Sequence, residues 1–219
     1  YSLGKVDYES YAQNQVRAKE LIIKANVVTH YLKKIPWIEL IALTGDVAAF
    51  NATKNADLDI LVVTKPRRLF LSRLFLVVIL KLLGVYWNAK NPVGKVCPNI
   101  FMTSNSMTWE AKNQNLYTAN EVSLLYPLYS RNTCYFDFLA QNAWIADYLP
   151  NLIIPETKLQ GIKRTSIGKL LDLVEYLTRT LQLTHMRKKQ TKEIVTNNLL
   201  HFNIHDRTPD IIGKFTKYS

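Results

Sequence analysis

Cysteine is nearly absent: Cys97 and Cys134 are the only two in 219 residues. They are too few and too far apart for a disulfide framework or a cysteine-rich metal site, and read as two buried free thiols in a reducing compartment. No long uninterrupted apolar run exists either. The most hydrophobic stretch, LFLSRLFLVVILKLLGV from Leu69, is broken by Arg73 and Lys81. Each would cost about 3 kcal/mol near a bilayer centre, and the run between them is far short of the roughly 20 residues of a span. A helix buried behind a sheet is expected there, not a membrane crossing. Residues Tyr1 to Ser10 lack the charged start, apolar middle and small-residue cleavage site of a signal peptide, so a cytoplasmic location is expected. They also lack an initiator methionine, and the chain is expected to be a piece of a longer protein. Repeats and low-complexity segments are missing. Acids are outnumbered, 17 against 28 basic residues, and the net charge of +11 favours anionic partners such as nucleotides, nucleic acid or a membrane surface. That charge is spread along the chain and selects none of them.

What is present begins with hydrophobicity, 48% of residues, enough for a sizeable core. A helix is predicted from about Tyr8 with Val16, Leu21, Ile23, Val27, Val28, Tyr31 and Leu32 on its apolar face, ending at Pro36. The apolar run IELIALT then predicts a strand closing at Gly45, where positive φ or close approach to a ligand is available without steric cost. Val47 to Phe50 is predicted as a first helical turn whose N–H groups face an anion. A second strand follows, carrying Asp57 and Asp59. Side chains alternate along a strand, so these two carboxylates face one way and Leu58 and Ile60 the other. Paired carboxylates at that spacing repel one another unless a cation lies between them, and hard oxygen donors suit magnesium. Read alone, a pair of this kind is better explained by a turn cap and a solvent-facing acid.

Further on, Pro66 is expected to start a helix closed by Gly84, with Lys65, Arg67 and Arg68 clustered at its beginning as phosphate contacts or a solvated basic turn. Val96 to Thr103 is predicted as a third strand, with Pro98 placing it at an edge or delaying its start. Tyr117 to Tyr126 and Tyr135 to Leu149 are predicted as helices, the first ended by Pro127. Asn151 to Lys163 reads as a linker. Beyond it Ile167, Leu170, Leu171, Val174, Leu177 and Leu181 recur at helical spacing, and that apolar face needs a partner: the preceding domain, a second copy of the chain, or another protein. His201 and His205, four apart and beside Asp206, read as structural or exposed residues in preference to a metal pair.

The order Leu43, Thr44, Gly45, Asp46, ten residues, Asp57, Leu58, Asp59 resembles the pattern of the nucleotidyltransferase superfamily, the DNA polymerase beta-like fold. The segments ADLDILVVTKPRRLFLSRLFLVVILKLLGV, KVCPNIFMT, NLYTANEVSLLYPLYSR and YFDFLAQNAWIADYLPN extend the likeness to stand-alone bacterial-type proteins of that kind, over about residues 35–151. The resemblance implies an α+β fold: a mixed-sheet nucleotidyltransferase domain over residues 1–151 and a helical C-terminal region over residues 152–219. It implies magnesium-dependent transfer of a nucleoside monophosphate from a nucleoside triphosphate, ATP or another, to an acceptor that is a small molecule, a protein or an RNA. Asp57 and Asp59 would then be catalytic and hold magnesium, with room for a two-ion site, while Thr44, Gly45 and Asp46 would approach the nucleotide. Two departures keep a second reading open, a catalytically inactive module of the same fold used for binding or regulation. Asp46 stands where the family has a small residue, and KVCPNIFMT carries no third carboxylate, Asn99 standing in that region; Glu110 and Glu121 are the substitutes. A homo-oligomer through the C-terminal helices is a further expectation.

Overall fold

A computed structural model describes residues 8–154, 168–187 and 194–202. Its centre is one six-stranded mixed sheet in the order β4-β1-β2-β3-β6-β5. The strands are β1 (Ile38–Leu43), β2 (Leu58–Thr64), β3 (Val96–Thr103), β4 (Tyr126–Ser130), β5 (Ile194–Val195) and β6 (Leu199–His201). The two central strands, β2 and β3, run parallel, joined by α3 (Leu69–Leu82); every other pair is antiparallel. The α+β class with a mixed sheet is therefore as the sequence implies, and the C-terminal region contributes the helix α6 (Gly168–Arg187). It also contributes β5 and β6, which extend the same sheet beyond β3.

Alternation along the strands builds two cores. Ile41, Leu43, Leu58, Ile60, Val62 and Phe101 point to the face covered by α1 (Tyr8–Leu32), α2 (Gly45–Ala48) and α3. Leu40, Ala42, Leu61, Val63, Ile100 and Met102 point to the face covered by α4 (Leu116–Ser123) and α5 (Cys134–Gln141). No helix among the described residues is long and apolar enough to cross a membrane.

Several local expectations are corrected. Helix α1 spans the expected stretch, but it buries Ala18, Ile22, Ala25, Val28, Thr29 and Leu32 while Val16, Ile23, Val27 and Tyr31 stay exposed. The buried set recurs every three or four residues as one helix face does, and Val16, Ile23 and Val27 fall outside it. Helix α3 starts at Leu69, three residues after Pro66, because Arg67 takes a positive φ of 61° and turns the chain. Strand β3 is interior, not an edge; β6 pairs only with Ile100 to Met102, so Pro98 lies beyond the stretch where its missing N–H would be needed. The register with β2 shifts just after Pro98, and Asn99 is the extra residue of that bulge. Pro127 does not end a helix but sits in β4, an outermost strand of the sheet, where it is tolerated. The helix predicted over Tyr135 to Leu149 is broken at Asn142, whose buried amide donates to the carbonyls of Met107 and Phe138, each at 2.9 Å. A 3₁₀ turn over Ala143–Asp147 follows it.

At the basic start of α3, Arg68 is buried against protein while Arg67 stays about half exposed. Arg67 and Arg68 pair with Asp172 of α6 at 2.9 and 2.7 Å. His201 lies in β6; His205, Ile167 and most of the Asn151 to Lys163 linker lie outside the described residues.

Candidate functional site

The site forms where β1 ends and β2 and β3 begin. β2 starts at Leu58, so Asp57 immediately precedes the strand and Asp59 is its second residue. Asp59 shares the orientation of Leu61 and Val63, toward the α4 side of the sheet. The parallel register sets Asp59 opposite Cys97 on β3. Ligand atoms of Asp57, Asp59 and Cys97 all lie within 4.8 Å of one another.

The glycine turn after β1 closes over this group. Gly45 has φ +64°, the left-handed region that a side chain resists, and a Cβ placed there would be 3.6 Å from Asp59 Oδ2. The Thr44 N–H donates to the Asp59 carbonyl at 3.0 Å, which ties the turn to the acid-bearing strand. The helical turn begins at Gly45 and ends at Ala48, two residues earlier at each end than the sequence suggested, and Phe50 turns out of it with φ 54°. Asp46 lies exposed in that turn, and its charge reaches Asp57, Asp59 and Glu121.

Electrostatically the corner is overloaded with negative charge. Burial, then the charge of Asp57, pushes Asp59 up to about 7, against a pull down from the Cys97 thiol hydrogen-bonded to it. Burial also raises Asp57, opposed by its own backbone N–H and by the side chain of Trp87, which donates to it. Glu121 on α4 is raised by burial and by Asp46, while the Gly45 N–H it accepts from pulls it back. Burial and the two aspartates drive the Cys97 thiol far above its ordinary range, so it is a protonated donor here. Among the described residues no ion pair involves Asp46, Asp57, Asp59 or Glu121. Uncompensated carboxylates this close together are costly, and protonation or a divalent cation would relieve them. Two carboxylates are what magnesium ordinarily takes from a protein, and the neutral thiol suits a place behind Asp59 better than one on a hard ion.

The structure thus brings Thr44, Gly45, Asp46, Asp57 and Asp59 to one corner. Of the two substitutes for a third acid, Glu121 is at this corner. Glu110 is not; it pairs on the surface with Lys112 at 2.7 Å. Sequence reasoning missed Cys97 and Trp87. Cys97 had a usable signal, since it is the second residue of β3 as Asp59 is of β2, and a parallel pairing in register aligns them. Trp87 had none, because a loop fold-back onto Val96 brings it to Asp57. No family model, no curated protein and no solved structure matches this chain.

Proposed function

We propose that the corner formed by Gly45, Asp57, Asp59 and Cys97 binds a nucleoside triphosphate with magnesium and transfers its nucleoside monophosphate to a hydroxyl-bearing acceptor, releasing pyrophosphate. The observation that carries this reading is the juxtaposition of two unpaired, partly buried carboxylates with a left-handed glycine turn bound to the same strand. The likeness of the segment from Leu43 to Asp59 to nucleotidyltransferases supports it from the sequence side. In the transfer, the acceptor hydroxyl gives up its proton to solvent as its oxygen bonds to the α-phosphorus, while the bond from that phosphorus to the α,β-bridging oxygen breaks and pyrophosphate leaves.

Asp57 and Asp59 would hold the ion, which supplies charge neutralisation for the triphosphate. The chain's own residues account for the rest. Trp87 fixes the Asp57 carboxylate by donating to it, and the Cys97 thiol does the same for Asp59. Such groups orient ligating oxygens before the ion arrives. Gly45, with no side chain, lets the backbone approach a phosphate. Positioning of this kind provides most of the acceleration in phosphoryl and nucleotidyl transfer.

A second reading is favoured by a specific observation: Cys97, a protonated thiol, stands across from Asp59 on the strand where the family carries its third carboxylate. A nucleotide-binding module without turnover fits that substitution. Calorimetric titration of ATP with magnesium into the wild-type chain and into Asp57→Ala/Asp59→Ala tests the shared premise. Magnesium-dependent binding lost in the double variant is expected; a folded wild-type chain that binds no nucleotide would overturn both readings. Incubation with labelled triphosphate and candidate acceptors then separates enzyme from binding module.

A further inference from the structure

Helix α6 docks the wrong way round for an amphipathic helix. Its polar side is buried: Asp172 pairs with Arg67 and Arg68, and Glu175, only 8% exposed, accepts from the backbone N–H groups of Phe70 and Leu71 at 2.9 and 2.8 Å. Gln182 accepts from Arg73 at 2.6 Å and donates to the Phe70 carbonyl at 2.8 Å, and Arg179 lies over the Phe70 ring. These contacts run from Asp172 to Gln182 and fix the helix's rotation. The opposite side carries Leu170, Leu173, Val174, Tyr176, Leu177 and Leu181 into solvent, with Leu170 69% and Leu181 73% exposed. A helix with one apolar side ordinarily turns it to its own core; here the carboxylate of Glu175 is locked inward instead.

We propose that this leucine face is the contact between two copies of the chain, packed face to face about a two-fold axis. Three observations select a second copy. The steps from Leu170 to Leu173, Leu177 and Leu181 are three, four and four residues, so these side chains form one continuous stripe along the helix, a surface that can meet its own copy about a two-fold axis. The surface involved is on the order of 600 Å² per chain, so two faces together remove roughly 1,200 Å², where specific stable interfaces begin. Charge fits as well. Between Leu170 and Leu181 the helix has three charged residues, Asp172, Glu175 and Arg179, and all three face α3. Tyr176, Thr180 and Thr184 flank the leucines, so two chains of net charge +11 meet there without like charges in the seam. A helix lying on a bilayer needs the reverse, a free polar side rich in lysine and arginine.

Sedimentation velocity on the full chain across micromolar concentrations tests this. The wild-type chain is expected at twice its 25.3 kDa mass, in low salt and in high salt alike, because the contact is apolar. Leu177→Glu is expected to give the monomer, roughly a hundredfold loss of association, with far-ultraviolet circular dichroism unchanged. If that variant misfolds, Leu177→Cys in a Cys97→Ser/Cys134→Ser background provides the check, through oxidative cross-linking of the folded dimer. A wild-type monomer at every concentration would overturn the proposal. So would a dimer indifferent to Leu177→Glu, no cross-link at Leu177→Cys, or a solution monomer that floats with anionic vesicles through this face.

Discussion

Asp59 is the residue where the account is most exposed to test. Its carboxyl titrates near 7 in the folded chain instead of near 3.8 because burial and Asp57 oppose its charge. A raised folded value means the protonated form favours the fold. The stabilisation is complete below about pH 4 and is lost as pH rises to about 7, with a slope of up to about 1.4 kcal/mol per pH unit. Asp57 and Glu121 shift in the same direction. The metal-free protein should therefore melt lower at about pH 8 than at about pH 5. Asp59→Asn should flatten that profile and stabilise the alkaline form by about 1–3 kcal/mol, the usual trade between a strained site and stability. Thermal unfolding of both chains across this range checks it, and a variant no more stable than wild type at the alkaline end would contradict the charge argument. The acid pair was legible in the sequence because period-two alternation is a local rule. Of its partners, Glu121 was one of two acids the sequence offered and Cys97 could be read from parallel pairing, but Trp87 comes from a loop beyond α3 whose approach nothing in nearby sequence encodes.

Among the elements, α3 and α6 depend on one another through polar groups. Glu175 satisfies two of the first-turn N–H groups that a helix leaves without partners. Its removal by Glu175→Ala should cost about 2–4 kcal/mol, from two unsatisfied buried donors and the lost charge-assisted bonds. Hydrogen exchange should locate the loss at Phe70 and Leu71. Exchange there unchanged from wild type would mean that α6 does not hold the start of α3. From sequence, helical periodicity gave α6 its apolar stripe but not the side it turns inward, because that is decided by Arg67, Arg68 and two free amides about a hundred residues earlier. Pro127 misled for a related reason. Proline stops a helix, but it also fits an outermost strand, and only the pairing of β4 with β1 distinguishes the two.

On the scale of the whole molecule, the sheet is shared between the two ends of the chain. β6 is three residues long, yet its Leu200 is completely buried in the same core as Phe101 and Leu76. Leu200→Ala should cost about 2–5 kcal/mol in urea unfolding; a change near zero would show that β6 contributes nothing to that core. The α+β class came from the resemblance and the two strands flanking the acid pair from apolar runs between turns, whereas a strand as short as β6 leaves no readable period. Binding of a divalent ion at the shared corner is the central claim, and electron paramagnetic resonance titration of Mn²⁺ tests it most directly. With metal-stripped wild-type chain, saturable loss of the free Mn²⁺ signal is expected, and with Asp57→Asn/Asp59→Asn the signal should remain that of the free ion. A folded wild-type chain that leaves Mn²⁺ free, or a double variant that binds it equally well, would contradict the account.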